Sequence, residues 1–178
     1  MQRLRATAVG VALLISTGCA ASTVTTTPDK AGAKGGSGAG AARVGQPVTI
    51  KGNDSGSKLQ VTVKKVQDTR PADQFSTVDK GKRLVAVQFR LVNTGTATYS
   101  DAPSNGAKVV DKQGQQYEAD IFFDKIAAGP MLPSSMKLAP KNKALGYLTF
   151  QVPKRSKIAQ VQFSMDSGFG GTGQWKVK

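Results

Sequence analysis

The strongest strand signal in the chain is Leu84-Val85-Ala86-Val87-Gln88-Phe89-Arg90-Leu91-Val92, rich in β-branched and aromatic side chains. Gly81 precedes this run and Asn93-Thr94-Gly95 follows it, which is the turn chemistry expected at both ends of a strand. Side chains alternate across a strand, so the run has an apolar face and a mixed face. The apolar face carries Val85, Val87, Phe89 and Leu91, and the mixed face carries Leu84, Ala86, Gln88 and Arg90.

The same period of two recurs on both sides of this strand. Further strands are predicted at residues 47–51, 59–63, 107–111, 115–119, 121–125, 145–153, 158–165 and 174–178. The alternation slips at residues 64–66, which predicts a bulge or a strand end. Residues 70–79 and 127–140 contain prolines and are predicted to be loops. Short strands without a helical period indicate an all-β antiparallel sandwich over residues 44–178.

Three segments of this region resemble a known family. They are the glycine-led strand 81–95, the hairpin 110–117 and the segment 138–153, which contains Leu145-Gly146-Tyr147-Leu148-Thr149-Phe150. Together they resemble the telokinin-like domains of secreted and lipid-anchored bacterial proteins, a group similar to the mycobacterial immunoprotective extracellular antigen. The resemblance implies an immunoglobulin-like sandwich. It implies no catalytic residue, because these motifs specify strands and turns.

The N-terminal region predicts export and lipid anchoring. A short basic start, residues 1–5, precedes an apolar run at 6–15 that is too short to span a bilayer as a helix. Leu13-Leu14-Ile15-Ser16-Thr17-Gly18-Cys19 resembles a lipoprotein cleavage site, so residues 1–18 are expected to be a signal peptide and Cys19 the lipidated residue. A plain secretory signal is the alternative. The protein is therefore expected on the extracytoplasmic face of the cell membrane.

Residues 19–43 are predicted to be a flexible tether. They are rich in Gly, Ser, Ala and Thr and cannot bury enough apolar surface to offset chain entropy. A flexible coil of this length has a typical span of about 25–30 Å. The tether is therefore expected to hold the domain close to the membrane.

Composition narrows the possible chemistry. The chain has no histidine and one cysteine, so an intrachain disulfide, a His or Cys metal site and a nucleophile paired with histidine are all excluded. Its formal charge is +14, from 25 Lys and Arg against 11 Asp and Glu. That excess favours anionic partners. The alternative is that lysines on exposed strands merely prevent edge-to-edge pairing of sheets.

Several motifs suggest other chemistry but lack its context. Gly168, Gly170 and Gly173 spell G-x-G-x-x-G, yet too few residues follow for a nucleotide-binding helix, so a turn before the last strand is expected. Ser134 and Lys137 have the spacing of a serine–lysine pair but lie in a predicted loop. The acidic residues Glu118, Asp120 and Asp124 leave open a carboxylate-based hydrolase or a weak calcium site.

The predicted binding site consists of five basic residues that bracket the strand at 145–153. If both ends of that strand face the same side, they form an anion-binding patch: Lys141, Lys143, Lys154, Arg155 and Lys157. The sequence therefore predicts a non-enzymatic, membrane-anchored lipoprotein without a cofactor. Its expected partners are the membrane through its lipid, and an anionic lipid, an acidic wall polymer or an envelope protein. Nucleic acid is not expected, because aromatic residues do not alternate with these charges. A carboxylate-based hydrolase of the cell envelope is the alternative function.

Overall fold

A computed structural model describes residues 27–28 and 40–178, and these form two packed sheets. Cys19, the signal peptide and most of the predicted tether lie outside the described residues. The strands in the described part are β1 (Thr27–Pro28), β2 (Ala42–Arg43), β3 (Pro47–Lys51), β4 (Lys58–Thr69), β5 (Lys82–Asn93), β6 (Tyr99–Asp101), β7 (Ala107–Asp111), β8 (Gln116–Glu118), β9 (Met136–Leu138), β10 (Lys143–Pro153), β11 (Ile158–Ser164) and β12 (Thr172–Lys176). The described part also contains one helical turn, α1 (Pro103–Gly106), and a 3-10 turn at Asp166–Gly168. No helix in the described residues is long and apolar enough to cross a membrane.

We call the two layers the front sheet and the back sheet. The front sheet has the order β1-β3-β4-β5-β10, and the back sheet has the order β2-β12-β11-β7-β8. Adjacent strands are antiparallel except β2, which pairs with β12 in parallel. A small third pair joins β6 to β9. The predicted all-β antiparallel sandwich is confirmed.

The main core lies between the two sheets and uses the apolar face of β5. Val85, Val87, Phe89 and Leu91 are all buried there. The ring of Phe89 packs against that of Phe163 on β11, with centroids 5.5 Å apart. Trp175 is fully buried, and its indole nitrogen donates a hydrogen bond of 2.8 Å to the carbonyl of Gln46. Period-two burial of this kind fixes which side of each strand faces solvent.

A second, smaller core lies on the outward side of the front sheet. Leu84 and Ala86 of β5 and Tyr147 of β10 are covered there by Phe123 and Ile126. The covering segment, 120–132, leaves and rejoins the free edge of β10, where Asp120 N–H donates to Thr149 O at 2.7 Å and Leu132 N–H donates to Tyr147 O at 2.9 Å. It therefore protects an edge strand as well as an apolar patch.

The structure corrects several predicted elements. Residues 121–125 do not form a strand, because their apolar side chains cover the front sheet instead. The predicted loop at 127–140 contains β9. The slip at residues 64–66 is a register shift between Val63 and Lys65. Ala42 and Arg43, placed in the tether, belong to the back sheet, and Thr27–Pro28 within the tether pairs with β3.

Candidate anion-binding face

The outward side of the front sheet is basic wherever the covering segment leaves it open. Alternation along the strands turns six basic side chains to this side. Lys82, at the start of β5, is paired with Asp79, and we call the other five the cationic face: Lys51, Lys58, Lys65, Arg90 and Lys143. Lys51, Lys65 and Lys143 are exposed, whereas Lys58 and Arg90 are half-buried. Leu145 lies exposed among them. The face draws on four neighbouring strands, so no short segment contains it.

Strand register sets the spacing of these charges. Lys51 on β3 lies directly opposite Lys58 on β4. Lys143 is opposite Val92 and Lys65 is opposite Gln88. Each of these partners lies two residues from Arg90 on β5. With strands about 4.8 Å apart and a two-residue step of about 6.7 Å, the Cα atoms in each pair are roughly 8 Å apart. The charges form an array across the sheet.

No carboxylate offsets these charges on the same face. None of the outward positions of β3, β4, β5 or β10 carries Asp or Glu. Of the ion pairs within the described residues, Lys82–Asp79 lies on this side but at the opposite end of β5, and Arg83–Asp68 and Lys108–Glu118 do not involve its outward positions. Like charges placed directly opposite each other, such as Lys51 and Lys58, destabilise a sheet by about 0.2–1 kcal/mol. The face is therefore arranged to hold positive potential at some cost in stability.

The five residues predicted to form one patch do not come together. Strand β10 is paired with β5 along its whole length from Lys143 to Pro153, so it stays extended. At about 3.4 Å per residue, its two ends are roughly 34 Å apart. Lys143 belongs to the cationic face, and Lys141 lies in the adjoining turn, where its N–H donates to Asn93 O at 2.8 Å. Lys154, Arg155 and Lys157 lie at the opposite end.

Those three residues join a different group at the far end of the sandwich. Lys112, in the turn between β7 and β8, donates its backbone N–H to Lys157 O at 2.9 Å, which ties the two turns together. The nearby carboxylate of Asp111 is turned inward and accepts hydrogen bonds from the Gln113 and Gln115 amides and from the Tyr117 hydroxyl. Burial alone would raise the pKa of Asp111, but these hydrogen bonds outweigh it and lower the pKa.

Four members of the cationic face, Lys51, Lys58, Lys65 and Arg90, were not among the predicted site residues. The alternation of the 84–92 strand does place Arg90 on its mixed face, so part of the signal is present in the sequence. The pairing of β3, β4, β5 and β10 is not visible there, because register depends on contacts between distant segments.

Two of the acidic residues singled out in the sequence, Glu118 and Asp120, make contacts that stabilise the fold. Asp120 accepts hydrogen bonds from Phe122 N–H at 2.9 Å and from the Gln151 side-chain amide at 2.7 Å. Glu118 forms an exposed ion pair with Lys108 at 3.3 Å. Both line an open depression of about 490 Å³. Asp120 and Asp124 line another of about 310 Å³, as does Ser134, but the described residues contain no group of three metal-ligating side chains.

The glycine motif forms a turn that leads into β12. Gly168 has a positive φ of 98°, and a Cβ at Gly173 would lie 2.8 Å from the Trp175 ring. No helix follows the motif among the described residues, so the arrangement that positions a nucleotide pyrophosphate is missing there. The glycines give the backbone a tight turn and a close approach to the indole.

Three solved structures share this architecture at low sequence identity. The secreted protein MPT63 of Mycobacterium tuberculosis has a TM-score of 0.53 and 15% identity, over 80% of this chain and 100% of that one. The yjhA protein of Bacillus subtilis has a TM-score of 0.51 and 14% identity, over 77% and 99%. The "putative lipoprotein" ycdA of Bacillus subtilis has a TM-score of 0.50 and 15% identity, over 71% of this chain and 38% of that one.

These likenesses support the fold, because identities of this size do not transfer an activity. The β-sandwich fold that the resemblance implied is thereby confirmed, and the telokinin-like name stays a resemblance. No curated protein matches the chain. A family described as "Domain of unknown function (DUF4352)" matches residues 43–175, nearly the whole described sandwich. The chain belongs to the DUF4352 family.

Proposed function

We propose that the protein is a non-enzymatic binding module of the cell envelope whose cationic face holds anionic envelope components. The observation that carries the proposal is the array of Lys51, Lys58, Lys65, Arg90 and Lys143 on one side of one sheet, with no carboxylate at the outward positions of its strands. Acidic wall polymers and anionic lipid headgroups are the partners that this charge favours.

The shape of the face favours a partner with repeated charges. The five side chains project from four adjacent strands of one sheet, and none of them lines the depressions of about 310 Å³ and 490 Å³. A single small anion needs donors that converge on it in a concave site. Cations spread over several strands instead match a chain or a surface that presents many anions in sequence. Binding of this kind is strongly weakened by salt.

Charge reversal at two positions tests the cationic face. The variant Arg90→Glu with Lys143→Glu should bind a phosphate-containing wall polymer, or vesicles of phosphatidylglycerol and phosphatidylcholine, at least tenfold more weakly, since each nearby cation contributes about 1 kcal/mol. Lys176→Glu, an exposed lysine on the outward side of the back sheet, is the matched control. Binding that does not weaken as salt is added would contradict the proposal. An equal loss of affinity in the charge-reversal variant and in the control would also contradict it.

The envelope location rests on the N-terminal sequence and on the character of the similar proteins. Cys19 is proposed as the lipidated residue, with residues 1–18 removed. Mass spectrometry of the protein purified from membranes should then show an acylated Cys19 at the N-terminus. An unmodified N-terminus, or retention in the cytoplasm, would refute the anchor and leave the binding proposal to be judged on the isolated chain.

The carboxylate-based hydrolase has less support than the binding module. Both carboxylate oxygens of Asp120 accept hydrogen bonds from within the fold, which favours a structural role. A hydrolase would need a second carboxylate held across a cleft, whereas Glu118 is exposed and paired with Lys108. Release of reducing sugar from wall polysaccharide by the native chain, and its loss in Glu118→Gln, would establish this alternative.

A further inference from the structure

We propose that Phe75, Ile121 and Phe122 form a ridge that inserts into the interfacial region of an anionic lipid bilayer. These side chains are 86%, 65% and 81% exposed. Phe75 and Phe122 come from different loops but line the same shallow depression of about 340 Å³. Ile121 and Phe122 in turn line a neighbouring depression of about 490 Å³. Exposed apolar side chains that occur singly need no explanation, but a group drawn from two adjacent loops marks an interaction site.

Phe75 and Phe122 are each held by the same type of hydrogen-bonded turn. Phe75 N–H donates to Asp73 Oδ1 at 2.9 Å, and Phe122 N–H donates to Asp120 Oδ1 at 2.9 Å. Each aromatic residue thus lies two positions after an aspartate whose carboxylate closes a tight turn. The pKa of Asp73 is lowered, chiefly by hydrogen bonds from Ser76, so the carboxylate that supports this turn is charged at neutral pH.

The two loops are also fastened to each other and to the sheet beneath them. Gln151 on β10 accepts from Asp79 N–H and donates to Asp120 Oδ2, each at 2.7 Å. Below the ridge, Phe123 and Val78 pack in the small core on the outward side of the front sheet. The ridge is therefore presented on a fixed support, which lowers the conformational entropy lost when it docks.

The size and surroundings of the ridge fit a bilayer better than a protein partner. Three side chains bury roughly 500 Å², less than the ~800 Å² per partner of a stable protein interface. Of the four aspartates in these loops, Asp73 and Asp120 direct their carboxylates at amides of the fold, Asp79 pairs with Lys82, and Asp124 is exposed. Three cations in the same loops are exposed: Arg70, Lys80 and Lys125. Apolar tips with exposed Arg and Lys beside them suit a bilayer surface, and the cationic face on the same side of the front sheet favours an anionic one.

The inference goes beyond the proposed function, because insertion does not require the cationic face. The ridge and that face both lie on the outward side of the front sheet. An attraction between charges weakens with salt, whereas burial of aromatic side chains does not. The two contributions are therefore separable by experiment.

Tryptophan substitutions test insertion in the full chain. Phe75→Trp and Phe122→Trp are each mixed with vesicles of phosphatidylglycerol and phosphatidylcholine that carry nitroxide on their acyl chains. The matched control is Phe169→Trp, because Phe169 is 85% exposed in the turn before β12. The native Trp175 is fully buried and gives the same background in every variant.

We expect a blue shift and nitroxide quenching at positions 75 and 122, and neither at position 169. Both signals should persist when Arg90→Glu and Lys143→Glu are added at saturating lipid, which separates insertion from the proposed function. Equal quenching at all three positions, or no quenching at 75 and 122, would overturn the inference. A shift that depends on protein concentration without vesicles would overturn it in favour of a contact between two copies of the chain.

Discussion

The outward sides of the two sheets differ in how their polar side chains are paired. On the back sheet, Gln160 donates to Gln174 at 2.7 Å, Ser164 and Thr172 share a hydrogen bond of 2.7 Å, and Lys108 pairs with Glu118. On the front sheet, the open half carries five basic residues and no carboxylate at its outward positions. The back sheet thus pairs most of its outward polar groups with one another and has adjacent cations, Arg43 and Lys176, at its β2 edge, whereas the front sheet spreads its cations over four strands.

Both sheets place cations side by side, but at different positions. On the back sheet Lys176 neighbours Arg43 of β2 at the edge of the sheet, while the strands β7, β8 and β11 carry neutral pairs and one ion pair. The front sheet places Lys51 opposite Lys58, which destabilises the pairing of β3 with β4. An anionic partner, as proposed for the cationic face, would offset this repulsion.

The largest expected effect concerns the segment that covers half of the front sheet. Phe123 is 4% exposed and covers Leu84 and Ala86, so Phe123→Ala should lower the free energy of unfolding by about 3–5 kcal/mol. Gln162→Ala, on the uncovered back sheet, should change it by less than about 0.5 kcal/mol. Urea denaturation of both variants measures the difference, and similar small losses would show that the cover is not part of the core.

A gain of binding on the back sheet would sharpen the comparison. Gln162 and Gln174 lie directly opposite each other on β11 and β12, as Lys51 and Lys58 do on the front sheet. Replacing both by lysine should strengthen binding to anionic vesicles by roughly 1 kcal/mol per added charge, about fivefold each. Vesicle sedimentation at two salt concentrations measures this. An unchanged affinity would mean that charge alone does not determine the binding side.

Acid should weaken the back sheet through Asp111 at the end of β7. The pKa of Asp111 is lowered in the folded state below its unfolded value of about 3.9. Its stabilisation is therefore present above that unfolded value and is lost as the pH falls through the folded pKa. Denaturation curves between pH 5 and pH 2.5 should show a smaller decline for Asp111→Asn. An identical decline would place the acid sensitivity elsewhere.

The smallest expected effect is a gain in stability on the front sheet. Lys51→Thr removes one of two directly opposed charges and should raise the free energy of unfolding by about 0.2–1 kcal/mol at low salt. The gain should shrink as salt is added. Lys143→Thr serves as the control, since Lys143 lies opposite the uncharged Val92. Thermal denaturation at two ionic strengths distinguishes the variants, and a gain that persists at high salt would exclude repulsion as its cause.

Local pattern was sufficient to predict the sandwich and most of its strands. The alternation in β5 specifies which side chains enter the core, because successive residues on a strand point to opposite faces. The hairpin of β7 and β8 was recognisable from its glycine turn. The prediction of a strand at residues 121–125 was wrong for an informative reason. Its apolar residues have strand-like composition, but Phe123 is buried against the outward side of a sheet that the sequence does not show to need covering.

The chain's own pattern determines the fold class, the faces of the strands, the excess of positive charge and the absence of histidine chemistry. Each of these follows from composition or from residues close together in sequence. Tertiary structure alone decides which charges become neighbours. The extended β10 separates Lys143 from Lys154, while strand register gathers Lys51, Lys58, Arg90 and Lys143 on one side. Register is fixed by contacts between segments far apart in the chain, so it cannot be deduced from any one of them.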